Sequence, residues 1–195
     1  MPLSLPHAPG VFFGFNAMIP MTTETCEVRP FRSTAEYEAM IDYFLLAEDG
    51  FLCGMGVERH KLPPRDEWLR KLLADHEVPD DKKDRFYLAW IHNGQQIGHS
   101  SINKISVGED AYFHLHLWHP HLRKAGLGTE FAKRSVRFYF ERFRLKRLFS
   151  EPFAENPAPN KVLPKLGFKF IQRYRTVPGS INGEQEVNRY MLERR

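Results

Sequence analysis

Apolar residues recur with two periods along this chain, and the places where one gives way to the other predict its elements. From Ala111 to Trp118 the period is two. Tyr112, His114, His116 and Trp118 share one face, and Phe113, Leu115 and Leu117 the other, as in a strand with two differently clothed sides. Phe86–Ile91 and Gln96–Ile105 read as two further strands. Asn93-Gly94 between them suits the positive φ of a tight hairpin turn. Elsewhere the spacing is three to four. Tyr37, Met40, Ile41, Phe44 and Leu45 predict a helix capped by Ser33 or Thr34. Trp68, Leu69, Leu72 and Leu73 mark a second helix over 65–76. Phe131, Ala132, Val136, Tyr139, Phe140 and Phe143 form the core stripe of a long helix over 127–143.

Shorter signals fill the gaps. Residues 24–31 and 145–152 suit strands. Residues 159–166 suit a short helix stopped by Gly167, and 168–176 and 186–192 two closing strands. Gly50, Gly54 and Gly56 predict a loop. A three-strand meander feeding a β-α-β unit implies a mixed sheet with helices on its faces. Residues 1–22 carry almost no charge and lack the basic start and long apolar block of a signal peptide. They read as an extension, leaving 23–195 as one domain.

Composition narrows the class without choosing a function. At 195 residues, 42% hydrophobic and 27% charged, the chain is an ordinary globule and neither disordered nor fibrous. No apolar run suits a membrane span. Two cysteines, Cys26 and Cys53, make no disulfide framework, which favours a reducing cytoplasm. A net charge of +4 is compatible with an anionic ligand and decides nothing alone.

The most informative stretch follows Pro120. Arg123, Lys124, Ala125, Gly126, Leu127, Gly128 and Thr129 join a strand end to the long helix. Amides at such a helix start lack intrahelical partners, and two glycines let an anion approach them. Neither the P-loop nor the dinucleotide fingerprint is met, because Gly-Lys-Ser/Thr is absent and Phe131 stands where a third glycine belongs. Arg123-x-x-Gly126-x-Gly128 resembles the acetyl-CoA-binding motif of the GNAT superfamily of N-acetyltransferases. Asn156-Pro-Ala-Pro-Asn160-Lys-Val-Leu-Pro-Lys165-Leu-Gly167-Phe168 resembles a second segment of it, closest to the RimJ/RimL-like branch.

The resemblance implies a mixed, mostly antiparallel α/β sheet in a single domain, and acetyl transfer from acetyl-CoA to a primary amine. It places the coenzyme pyrophosphate on the backbone of 124–129 and the pantetheine arm along the strand ending at Trp118. That strand end would offer an amide to the thioester oxygen, with Asn156 and Asn160 beside the coenzyme. Two departures stand out. The helix tyrosine that protonates the leaving thiolate in many members is replaced by Leu163, and a serine of the branch by Pro159.

Attack of a neutral amine on a thioester needs a base, an oxyanion donor and a route for the thiolate proton. Candidate bases are His116, favoured because it sits nearest the expected thioester, then Glu151 and Asp110, with Glu109 and His114 beside them; no metal is expected, although His114 and His116 share a strand face. The acceptor is a small-molecule amine or a protein N-terminus, its choice assigned to 35–68 and the turn near Gly179–Gly183, with 50–56 as a flexible acceptor-side lid. Phe138, off the core stripe, hints at a homodimer. Alternative readings are a catalytically silent acyl-CoA-binding or sensor domain and, less favoured, a nucleic-acid module using Lys133, Arg134, Arg137, Arg142, Arg144, Lys146 and Arg147.

Overall fold

The computed structural model describes residues 25–123 and 126–194. The proposed extension over 1–22 lies outside them. Seven strands form one sheet: β1 (Cys26–Pro30), β2 (Arg85–His92), β3 (Gln95–Ser106), β4 (Asp110–Leu117), β5 (Arg147–Ser150), β6 (Lys169–Thr176) and β7 (Gln185–Glu193). Their order is β1-β2-β3-β4-β5-β7-β6, antiparallel throughout except for the parallel pair β4–β5.

The helices clothe the two faces unequally. On one face lies α4 (Leu127–Arg142), whose buried stripe of Phe131, Ala132, Val136, Tyr139 and Phe140 packs on Leu88, Trp90, Ile102 and Phe113. The polar groups in this core are paired: Trp90 Nε1 donates to Ser135 Oγ at 2.9 Å, and Ser100 Oγ meets the Tyr139 hydroxyl at 3.0 Å. The short α5 (Pro157–Lys165) closes the same side, capped by Asn156 and followed by Gly167 at φ 91°. On the other face lie α1 (Thr34–Leu45) and α3 (Arg65–Glu77), burying Tyr37, Met40, Ile41, Phe44 and Leu72 against Phe31, Ala89 and Ile91. Glu36 accepts from the Arg32 and Ser33 amides at the start of α1, at 2.5 and 3.3 Å.

Two expectations change. The loop expected at Gly50–Gly56 contains a helix, α2 (Asp49–Gly54), because Leu52 is buried and anchors it to the core. β5 spans four residues rather than eight, because its pairing with β4 ends at Tyr112–Phe149. Phe138 stacks on Phe86 at 6.0 Å and packs, part-buried, against the core, although it lies off the core stripe.

Candidate active site

The site begins where β4 and β5 part. They pair from Asp110–Arg147 to Tyr112–Phe149, after which β4 runs on to Leu117 while β5 ends at Ser150. The chain beyond β5 stays with β7, through Asn188 N–H to Pro152 O at 3.1 Å and a bridge between Phe153 and Val187. Ser150 Oγ donates to Phe113 O at 2.8 Å and seals the apex. The result is a cleft with the second half of β4 as one wall and 151–153 as the other.

Backbone alternation decides which groups of β4 face it. Trp118 N–H donates to Ile97 O at 2.9 Å, and Leu117 lies opposite Gly98. In an antiparallel ladder every second residue bonds the partner strand. The N–H and C=O groups of Leu115 and Leu117 therefore point away from β3, toward the cleft. This corrects the sequence expectation for Trp118. Its amide belongs to β3, its indole N–H donates to His99 Nδ1 at 2.9 Å, and its ring stacks on Tyr43 at 5.9 Å. The signal that points to Leu115 and Leu117 is strand register, which one sequence does not contain.

The glycine turn lies at the mouth of the cleft. Gly126 is the N-cap of α4 at φ 81°, and a β-carbon there would meet nothing within 4 Å. A β-carbon on Gly128 would meet only Leu117 Cδ2, at 3.8 Å. Among the described residues nothing crowds the missing β-carbon of either glycine, which suits the close approach of an anion. Thr129 N–H already bonds Gly126 O at 3.0 Å. Arg123 reaches Leu117 O at 3.4 Å and lies over the Phe51 ring at 5.0 Å. Lys124 and Ala125 fall outside the described residues.

The α5 residues divide. Asn156 accepts from Ala158 N–H at 3.2 Å as the helix cap. Asn160 is enclosed by protein: its Nδ2 donates to the carbonyls of Phe153, Ala154 and Asn156, and its Oδ1 accepts from Asn188 and the Tyr190 hydroxyl. It ties the β5–α5 connection to β7 and has no oxygen or nitrogen left over for a coenzyme, which corrects its expected role. Leu163 is 0% exposed in the core.

The candidate bases are scattered. Asp110 begins β4, pairs with Arg147 at 3.0 Å, and lies six residues from His116, roughly 20 Å along the strand. The structure does not bring it to the cleft. His116 does lie on the cleft strand, half-buried between Phe44 and Tyr43 and stacked on His99 at 4.7 Å. Burial, aided by His114, pushes it down to about 3. Its Nδ1 is 3.4 Å from the Tyr43 hydroxyl. His114, pushed down to about 4 by burial, Lys104 and Arg85, contacts Asn103 Oδ1 at 3.2 Å. Among the described residues no cluster of three or more His, Cys, Asp or Glu side chains has a metal-binding arrangement.

Glu151 stands on the opposite wall, its side chain 7% exposed. The Tyr174 hydroxyl donates to its Oε1 at 2.5 Å, and Arg189 Nη1 lies 3.5 Å from the same oxygen. Sequence reasoning missed Tyr174 and Arg189, which no local motif links to Glu151.

Two segments remote in the chain meet just past α2. Val57 and Asn182 form a β-bridge, Glu58 N–H donates to Ile181 O at 3.0 Å, and Lys61 Nζ to Asn182 O at 2.8 Å. Asn182 Nδ2 returns a bond to Gly56 O at 2.7 Å. The basic run of α4 and β5 is largely neutralised: Arg134 by Glu130, Arg137 by Glu141, Arg142 by Asp80, Lys146 by Glu109 and Arg147 by Asp110. That removes the main support for a nucleic-acid face.

A sheet split beside a glycine-opened helix start agrees with the family resemblance seen in the sequence. The model of the acetyltransferase (GNAT) domain matches residues 27–169, and the chain belongs to that family: it is an acetyl-CoA-dependent N-acetyltransferase that modifies an amine. No curated protein matches it in sequence. Among solved structures it is similar to RimL, a ribosomal L7/L12 alpha-N-protein acetyltransferase in complex with coenzyme A, with 16% identity, TM-score 0.70, and 87% of this chain and 94% of that one covered. It is also similar to spermidine N-acetyltransferase from Vibrio cholerae in complex with CoA and spermine (17%, TM-score 0.68, 86% and 95%). A third is ribosomal-protein-S5-alanine acetyltransferase from Vibrio fischeri (18%, TM-score 0.69, 86% and 92%). At these identities the likeness is one of fold.

Proposed function

We propose that Glu151 is the base for direct attack of a primary amine on the thioester of acetyl-CoA held in the β4–β5 cleft. The observation that carries this is the conjunction of an open glycine turn, an outward-facing strand edge and a buried carboxylate around one split. The amides of Gly126, Leu127 and Gly128, with Arg123 and the 124–125 segment, take the pyrophosphate, and Asn156 stands beside the coenzyme. The edge of Leu115 and Leu117 pairs with the pantetheine arm and gives the thioester oxygen an N–H donor. The coenzyme supplies the activated acetyl group. Glu151 accepts the amine proton, directly or through one water. His116 packs the acceptor side as a neutral ring, since a group that titrates near 3 is a weak base. With Leu163 buried, the thiolate takes its proton from water.

The acceptor enters beneath the joined 56–61 and 179–183 segments. Fold neighbours act on a ribosomal-protein N-terminus and on spermidine, so both kinds of amine are the first to try. The same reading makes 23–195 the transferase domain, with 1–22 an extension. It places the chain in the cytoplasm, where its free Cys26 and Cys53 stay reduced. No described helix is long and apolar enough to cross a membrane.

Calorimetry with acetyl-CoA tests the coenzyme half. The native protein is expected to bind in the micromolar range, and Gly128→Glu to lose binding while keeping its melting temperature. The added side chain meets only Leu117 but sets a negative charge in the anion site. Full binding by the variant rejects the assignment. Thiol release with spermidine and with tetrapeptides bearing a free N-terminal amine then tests turnover. Binding without turnover across such a panel would favour the silent sensor.

A further inference from the structure

Glu151 sits in a cluster that draws one side chain from each of four strands. A carboxylate this enclosed is costly to keep charged unless it is paired and hydrogen-bonded. From β6, Tyr174 donates to Oε1 at 2.5 Å, the short distance of a charge-assisted bond. From β7, Arg189 approaches the same oxygen at 3.5 Å. Arg189 is itself fixed. Its Nη2 donates to the Tyr112 hydroxyl of β4 at 3.0 Å, and its guanidinium lies over the rings of Phe149 and Tyr112 at 4.6 and 5.6 Å. Other charges nearby are engaged elsewhere. Arg147, on β5 just before Glu151, pairs with Asp110, and Arg173, next to Tyr174, pairs with Glu155 and Glu186. Among the described residues no further cation pairs with Glu151. Both supports fall on Oε1, and Oε2 has no side-chain partner among the described residues.

We propose that Arg189 and Tyr174 are the positioning residues of the proton acceptor, clamping Oε1 of Glu151 from two strands so that Oε2 is presented to the amine. The inference rests on the reading of Glu151 as the base. The clamp reaches across β5: Arg189 of β7 contacts Tyr112, at the last paired position of β4, and Glu151, just past the end of β5.

Tyr174 reports on the clamp without any acceptor. Burial, the bond to Glu151 and its charge all push the Tyr174 phenol up, and Arg189 pulls it back. Protein labelled at tyrosine Cζ, with Tyr174 assigned from Y174F, is titrated by NMR over about pH 8 to 11, around the usual tyrosine value. Tyr174 is expected to ionise above the ordinary range in the native protein, lower in E151Q and higher in R189M. Turnover is then compared using whichever probe, spermidine or peptide, reacts fastest. R189M and Y174F are expected to lower kcat about tenfold to a hundredfold, with KM for acetyl-CoA unchanged and part of the loss restored in R189K. A Tyr174 titration indifferent to E151Q and R189M overturns the clamp whether or not turnover is seen. So does native kcat in R189M and Y174F when E151Q is inactive. Native activity in E151Q instead overturns the reading of Glu151 as the base.

Discussion

The α4 face and the α1 face of the sheet are built by different means. On the α4 face the groups that the proposal gives to the coenzyme are mostly backbone: helix-start amides, two glycines and a strand edge. On the α1 face the polar and aromatic groups are side chains gathered from far apart and packed on one another, such as His99, His116, Tyr43 and Trp118. Backbone chemistry needs only a local conformation, so a short motif can announce it. A side-chain constellation needs the whole sheet to be in register, and no short motif describes it.

Asn160 breaks the contrast most sharply, because it lies in the coenzyme-side motif yet acts as scaffold. Asn160→Ala removes the donor for three carbonyls and the acceptor for Asn188 and Tyr190. It is expected to cost about 2 to 4 kcal/mol in urea unfolding, and to change acetyl-CoA affinity by no more than about threefold. A large loss of affinity at unchanged stability would return Asn160 to the ligand sphere.

The α1 face is sharpened by pH. His99, 2% exposed, is held well below its usual range by burial, then by His116 and His114; His114 and His116 titrate at about 4 and about 3. Unfolded imidazoles take protons near about 6.5. Between these values the unfolded chain binds more protons than the folded one. Stability is therefore complete above about pH 6.5 and falls as the pH drops toward 4. Each fully buried histidine adds a slope of about 1.4 kcal/mol per pH unit, less for the half-buried His114 and His116. Urea midpoints at pH 7.5 and 5 measure it, and His116→Asn should flatten the curve. A pH-independent midpoint would mean that the imidazoles are hydrated in solution.

The smallest effect belongs outside both faces. Arg137→Ala breaks an exposed pair with Glu141 and should leave the melting temperature within about 2 °C and turnover unchanged. A marked loss of activity would give the outer surface of α4 a role that its neutralised charges do not suggest.

Most elements were legible because their apolar periods are local: Tyr37 to Leu45 and Phe131 to Phe143 each declare a buried stripe without outside help. α2 was not, since three glycines mask a helix whose anchor is the single side chain Leu52. Side-chain alternation in β4 was read correctly. The direction of its backbone groups was not, because that depends on the pairing of Leu117 with Gly98. Glu151 was visible at the end of a strand. Its partners lie 23 and 38 residues further on, and only the ordering of β5, β7 and β6 brings them to it.

The bridge between Val57 and Asn182 has a consequence for how such a protein diversifies. Its two segments are far apart in the chain but share backbone bonds, so neither can be exchanged alone without stranding Gly56 O and Glu58 N–H. A graft of the 177–184 turn from another member of the fold should succeed only when 56–61 travels with it. New acceptor preferences would then be inherited as a matched pair of loops rather than as single changes.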